Sequence, residues 1–273
     1  MIRKLTSLEG CDDFIAELNR DPEFSEPMLS TPEQLTANLY NALHKPNDHV
    51  LGVFRGDEMT GLFVFLILED ERYIEMIVGL SREAAAYEEI ADWLRENYAG
   101  FQADFVFNPA NALLGKLLRS LGAEFAAEQQ KMVYSGPVPH LDTTGVEPLS
   151  LRRMAGYLAM HDDDCYWTGE KVAAAPERFS VYLAVENDEV VGYTDVTNCF
   201  GENEPYALEV KEAFRRRGWG RKLAAKALEM HGAGGMMLLA DVDNAPAIAL
   251  YESLGFVKIP GRNSQDAAWI IGS

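Results

Sequence analysis

Between residues 213 and 222 the chain reads AFRRRGWGRK, which places Arg215, Arg216, Arg217, Arg221 and Lys222 around Gly218 and Gly220. That is a concentration of positive charge in a protein whose formal net charge is −19. The first amides of a helix have no intrahelical acceptor and carry the positive end of its dipole, so glycines at a helix start let backbone N–H groups close on an anion. The arginines would add charge and hydrogen bonds, each charge-assisted one contributing about 1.5–3 kcal/mol. The chemistry this suits is the holding of a polyphosphate-like group. It is neither the dinucleotide fingerprint nor a Walker loop, because Gly218-Trp219-Gly220 lacks a third glycine and no Gly-Lys-Ser/Thr follows.

The elements that must position this stretch are a strand, PYALEV at 205–210, a short connection, KEAF, and an amphipathic helix opening at GWGRKLAAKALEM. A matching pattern occurs earlier: an ungapped offset of 133 residues lays Tyr206 on Tyr73, Val210 on Ile77, Arg215 on Arg82 and Asn244 on Asn111. NAPAIALYESLGF (244–256) then falls on NALLGKLLRSLGA (111–123), so each half ends in a short helix stopped by a Leu-Gly pair and followed by a strand. In the first half VLGVF and TGLFVFLIL flank RGDE as a hairpin, and in the second YLAVE and VVGYTDV flank NDE. Thr31-Pro32-Glu33-Gln34 is a capping sequence that predicts a helix to about Leu43. Proline and glycine break the periodicity in SGPVPHLDTTGVEP (135–148), which reads as a linker. With 273 residues available, two copies of one α/β unit are expected, at 1–136 and 137–273.

Arg215-x-x-Gly218-x-Gly220 resembles the Q/R-x-x-G-x-G/A pyrophosphate loop of the GNAT superfamily of N-acetyltransferases. NAPAIALYESLGF resembles that superfamily's next segment, and it follows in the right order, 24 residues from Gly220 to Asn244, with the strand MMLLA between. The resemblance is close over residues 180–271, while the first half shares the architecture only; tandem two-copy members are known in the superfamily. It implies an α/β (α+β) fold of two tandem GNAT-like domains, each a mixed, mostly antiparallel twisted sheet flanked by helices. Residues 137–273 would be the catalytic copy, binding acetyl-CoA as co-substrate without a metal.

Carried over position by position, the resemblance implies that the backbone of Leu208, Glu209 and Val210 binds the acetyl and pantetheine arm. Arg215, Arg216, Arg217, Gly218, Trp219, Gly220 and Arg221 would cradle the pyrophosphate, and Asn244 would contact the pantetheine side. Tyr251 stands at the place of the hydroxyl that protonates the departing thiolate, a reasonable pairing of a phenol of pKa about 10 with a thiol of about 8.5. The attacking amine must also lose a proton. Glu204, at the spacing of the base in some members, and Glu209 on the same strand are the candidates, because the next strand carries Leu239 where other members have a glutamate. Asp162, Asp163, Asp164 and Glu170 fall where such enzymes build an acceptor groove, with Cys165, Tyr166 and Trp167 beside them, while His161 reads as a helix-end polar residue.

In the first half the matching loop is Ser81-Arg82-Glu83-Ala84-Ala85-Ala86-Tyr87, without either glycine. Ser81 is expected to cap the helix, Glu83, Glu88 and Glu89 bring negative charge where a pyrophosphate would sit, and Leu118 replaces Tyr251. This copy is therefore expected not to bind acyl-CoA. The acceptor is expected to be a small-molecule or peptide amine; a longer acyl donor, or a regulatory module that holds acyl-CoA without turnover, are the rival readings. The acidity argues against a nucleic-acid partner, no segment reads as membrane-spanning, and three widely spaced cysteines fit a cytoplasmic protein without disulfides or zinc. Oligomeric state is not legible.

Overall fold

Apolar runs separated by short polar turns fold as the expected hairpins. In chain order the elements are β1 (Ile2–Lys4), α1 (Asp12–Arg20), α2 (Pro32–Leu35), β2 (Asp48–Arg55), β3 (Glu58–Leu68), β4 (Tyr73–Ser81), α3 (Ala84–Tyr98), β5 (Gln102–Phe107), α4 (Ala112–Ser120) and β6 (Glu124–Tyr134). They continue with β7 (Val146–Pro148), α5 (Met154–Leu158), α6 (Gly169–Ala173), β8 (Phe179–Glu186), β9 (Glu189–Thr197), β10 (Pro205–Val210), α7 (Trp219–His231), β11 (Met236–Asp241), α8 (Ala245–Ser253), β12 (Val257–Lys258) and β13 (Ser264–Ile270). The structure is a computed structural model that describes residues 1–138, 140–161, 166–199 and 202–272.

The chain divides into two units, Met1–Gln130 with Pro260–Ser273, and Lys131–Ile259. The division differs from the boundary expected at 136/137. Proline and glycine mark where the backbone is irregular, not which sheet a strand joins, and the C-terminal strand joins the first unit. There the strand order is β1-β2-β3-β4-β5-β13-β6, with β4 and β5 parallel and β13 antiparallel to both of its neighbours. Ala267, Trp269 and Ile271 enter the core formed with Tyr87, Ile90 and Leu94 of α3 and Leu114 and Leu118 of α4. Thr31 caps α2 as expected, its Oγ1 accepting the Gln34 N–H at 3.1 Å. Beyond it the helical path runs through a π-turn (Thr36–Tyr40) and a 3-10 turn (Asn41–His44); the Thr36 hydroxyl donates back to the Pro32 carbonyl at 2.9 Å and competes for the ladder.

In the second unit β10-β9-β8-β7 form an antiparallel sheet with β10 at its edge. β11 and β12 both pair with β6, whose last residues belong to this unit. Just ahead of β10, Asn203 forms a parallel bridge with Met236 of β11, where the Met237 N–H donates to the Asn203 carbonyl at 3.0 Å. Past that point they diverge, and β10 carries a bulge between Pro205 and Ala207. Leu223, Ala224, Ala225 and Leu228 of α7 pack on one face of these strands. Among the described residues, no helix is long and apolar enough to cross a membrane.

Candidate active site

The divergence of β10 from β11 leaves Leu208, Glu209 and Val210 on an edge strand whose other side is held by β9, with Leu208 opposite Thr194 and Val210 opposite Gly192. The chain then turns through a 3-10 turn at Glu212–Phe214 and enters α7 at Gly218. Gly218 has φ +89°, which a side chain would strain, although a Cβ there would meet nothing within 4 Å. At Gly220 a Cβ would lie 3.6 Å from Leu250 and 3.9 Å from Leu208, ordinary contacts. No contact among the described residues therefore requires glycine at 220, and its effect is to leave the first turn of α7 open. The first amide of that turn to find an acceptor is Lys222, at 3.1 Å from the Gly218 carbonyl; those of Trp219, Gly220 and Arg221 have none among the described residues. Three free N–H groups at the positive end of a helix dipole can receive an anion.

The arginines divide their work. The Arg215 Nε donates to the Val210 carbonyl at 2.9 Å and its guanidinium lies 3.9 Å from Glu209. Arg217 pairs with Glu186 at 3.5 Å over the Phe214 ring, and Arg221 donates to the Ser253 hydroxyl, tying α7 to α8. Arg216, at φ +63°, has an exposed side chain with no protein partner among the described residues. Trp219 is wedged under Gly145, and its indole N–H donates to Glu186 at 2.9 Å. The donors the loop leaves free are thus mainly backbone amides, with Arg216 the loop cation without a protein partner among the described residues and the other side chains holding the loop in shape.

Asn244 caps α8, its Oδ1 accepting the Ala247 N–H at 3.1 Å, which leaves its amide nitrogen to face outward. Tyr251, on the same helix, is buried edge-on against Phe256 with no hydrogen-bond partner among the described residues. Burial pushes its phenol up to about 12, so it stays protonated. Glu204 stands at the start of β10, its backbone bonded on both sides to Thr197. Burial pushes the Glu204 carboxyl up to about 7; Glu202 adds to the rise and Lys131 opposes it. That is the range in which a carboxylate can accept a proton at neutral pH. Glu209 is more exposed and engaged with Arg215.

Asp162, Asp163, Asp164 and Cys165 lie outside the described residues. Glu170 is in the first turn of α6, and Trp167 meets Tyr166 and Phe179 edge-on, at 5.4 and 5.0 Å between ring centres. His161, expected as a helix-end polar residue, follows α5 with its side chain buried, Nε2 at 2.9 Å from Asp195 Oδ2 and the ring stacked on Tyr193. The Tyr157 hydroxyl donates to the other Asp195 oxygen at 3.0 Å. Asp195 is fully buried, and burial raises its carboxyl against the pull of His161. The sequence holds a signal for the aspartate alone, a carboxylate following the run VVGYT in the strand EVVGYTDVT. In the first unit Ser81 does not cap α3. Its hydroxyl accepts the Glu83 N–H at 2.9 Å and donates to Thr60 O at 2.7 Å, closing the strand end instead.

An open strand edge beside a bare helix start is the layout of an N-acetyltransferase fold, and solved structures agree. Over 100% of its length the chain is similar to a GCN5-related N-acetyltransferase from Sphaerobacter thermophilus, with a TM-score of 0.67, 12% identity and 96% of that chain covered. It is similar also to a tandem GNAT protein from the clavulanic acid biosynthesis pathway, with a TM-score of 0.59, 12% identity, and 100% of this chain and 99% of that one covered. Residues 149–256 match the Acetyltransferase (GNAT) family. A mycothiol acetyltransferase of Corynebacterium glutamicum strain R is 32% identical over 105 residues, 35% of this chain and 36% of that protein. An uncharacterized protein of Mycobacterium leprae is 40% identical over 77 residues, 26% of this chain and 21% of that protein. The matches thus span only about a fifth to a third of these relatives.

Proposed function

We propose that the second unit transfers an acetyl group from acetyl-CoA directly to a primary amine, with no covalent enzyme intermediate. The observation that carries this reading is the conjunction, in one unit, of three free amides at the start of α7, the open edge of β10 and a carboxyl poised at about 7. The amides of Trp219, Gly220 and Arg221, with Arg216, receive the pyrophosphate. The edge of Leu208–Val210 takes the pantetheine arm as an added strand would be taken, and Asn244 offers its free amide nitrogen to that arm. Glu204 accepts the proton that the ammonium must lose, and the neutral amine then attacks the thioester carbonyl as the carbon–sulfur bond breaks. Tyr251 donates to the departing thiolate. With its phenol near 12 and a thiol near 8.5, complete transfer in the ground state is uphill, so its contribution is a hydrogen bond that strengthens as charge develops on sulfur. Glu209 is the second candidate for the base.

The likeness to the mycothiol acetyltransferases supports acetyl over longer donors. The first unit is assigned a structural part, without acyl-CoA. Mass-spectrometric detection of an N-acetylated amine, with one CoA released per product, tests the transfer. Binding of acetyl-CoA with no acetylation of any amine across a broad panel would reduce the protein to a regulatory binding module.

A further inference from the structure

The face of the splayed strands turned away from α7 has a character that the acetyl-CoA site does not use. Met236, Leu238 and Ala240 of β11 enter the core shared with α7 and α8, so Met237, Leu239 and Asp241 alternate onto the opposite face, where Leu239 is 37% exposed. On β10, Leu208 and Val210 pack towards α7, while Ala207 packs into the core around Tyr157 and Phe179, on the other side. The bulge brings Tyr206 to that side too, edge-on to Phe179 at 5.8 Å and 41% exposed. The result is an apolar floor of Tyr206, Ala207, Met237 and Leu239, bordered by the carboxylates of Glu209 and Asp241, with Glu204 two residues before Tyr206 in the chain. The nearby cations are committed, Arg215 to the Val210 carbonyl and Arg178 to the Trp167 ring at 4.8 Å.

We propose that the acceptor is a primary amine bearing an aromatic or other apolar group, the ring resting on Tyr206 and Leu239 and the ammonium drawn by Glu204 and Glu209. This rests on the acetyl-transfer reading and narrows its substrate class. A polyamine or an aminoglycoside needs polar partners along its whole length, and a floor of Met237 and Leu239 would leave its amines and hydroxyls desolvated and unpaired.

The test uses the full chain with acetyl-CoA and three probes, phenethylamine, spermidine and kanamycin, with product measured by mass and acetyl-CoA affinity by calorimetry in the same preparation. Phenethylamine should show the highest kcat/KM, by about 10-fold or more, the scale on which an apolar pocket discriminates. Leu239→Asp, at an exposed position, should raise KM for phenethylamine by about 10-fold and lower it for spermidine, with acetyl-CoA affinity unchanged. Preference for spermidine or kanamycin, or a Leu239→Asp variant with unaltered KM values, would overturn the assignment while leaving acetyl transfer intact. Loss of acetyl-CoA binding in the parent protein would overturn both.

Discussion

The two units build the same strand-to-helix cleft and fill it differently. In the second, the chain passes from β10 to α7 through Lys211–Gly218, and the helix start keeps three amides free. In the first, β4 passes to α3 through Arg82 and Glu83 alone. Tyr87 of α3 turns inward: its hydroxyl accepts from the Asn111 amide at 2.8 Å and lies 3.0 and 3.3 Å from the carbonyls of Ser81 and Gly79. A Glu26 carboxyl oxygen accepts the Gly79 N–H at 2.9 Å. Asn111 caps α4 as Asn244 caps α8, but its amide nitrogen is occupied from within. The expected negative charge at α3 is also largely spent, since Glu83 pairs with Arg55 and Glu89 with the terminal amine at 2.6 Å. The difference teaches that such a cleft is closed less by repulsion than by refilling. Polar edges which a ligand would satisfy in one unit are satisfied by Tyr87 and Glu26 in the other.

The largest effect that can break this comparison is removal of residues 260–273. The first unit would lose the strand between β5 and β6. Truncating Trp269 alone should cost about 3–5 kcal/mol. Hydrogen exchange should show β4 and β5 unprotected in the truncated chain, and retained protection would refute the assignment of β13. Next, Glu204→Gln should lower kcat/KM by about 10²–10⁴-fold at neutral pH. The parent rate should climb with pH and level off above about 7, because the carboxylate must be ionised to act. Stability should move the other way. The folded pKa lies above the ordinary 4.5, so the folded form is progressively penalised as pH rises from 4.5 to about 7. The Gln variant should therefore melt higher than the parent at pH 8 while being far less active.

Tyr251→Phe should reduce kcat by about 10²-fold, with acetyl-CoA affinity little changed, as expected of a group that acts when the thiolate forms. In the first unit, Tyr87→Phe should leave kcat alone and cost about 1–3 kcal/mol, because the buried Asn111 amide loses its acceptor. Thermal melting and steady-state rates on the same variant separate those two outcomes.

Much of this contrast is visible in the residues themselves. The 133-residue offset locates both helix-capping asparagines, and Gly218 is legible because its left-handed backbone is a local property. What depends on distant packing is not. Nothing near Trp269 says that its strand lies between β5 and β6, and the partners of Arg217, Arg221 and Glu26 lie 31, 32 and 53 residues away. Tyr87 reads as one more apolar helix residue until the fold aims its hydroxyl at Asn111. The His161–Asp195 pair is hidden in the same way, since a polar residue in a strand declares its partner only once α5 is packed against β9.

Titration of the full chain with acetyl-CoA, followed by heat, tests most directly the claim that one of two like units kept its site. The account predicts one site per chain, abolished by Gly218→Val, where a β-branched side chain cannot easily adopt φ +89°. Two sites per chain would show that the Tyr87-filled cleft opens to ligand, and no binding would contradict the assignment of the α7 start as the cofactor site.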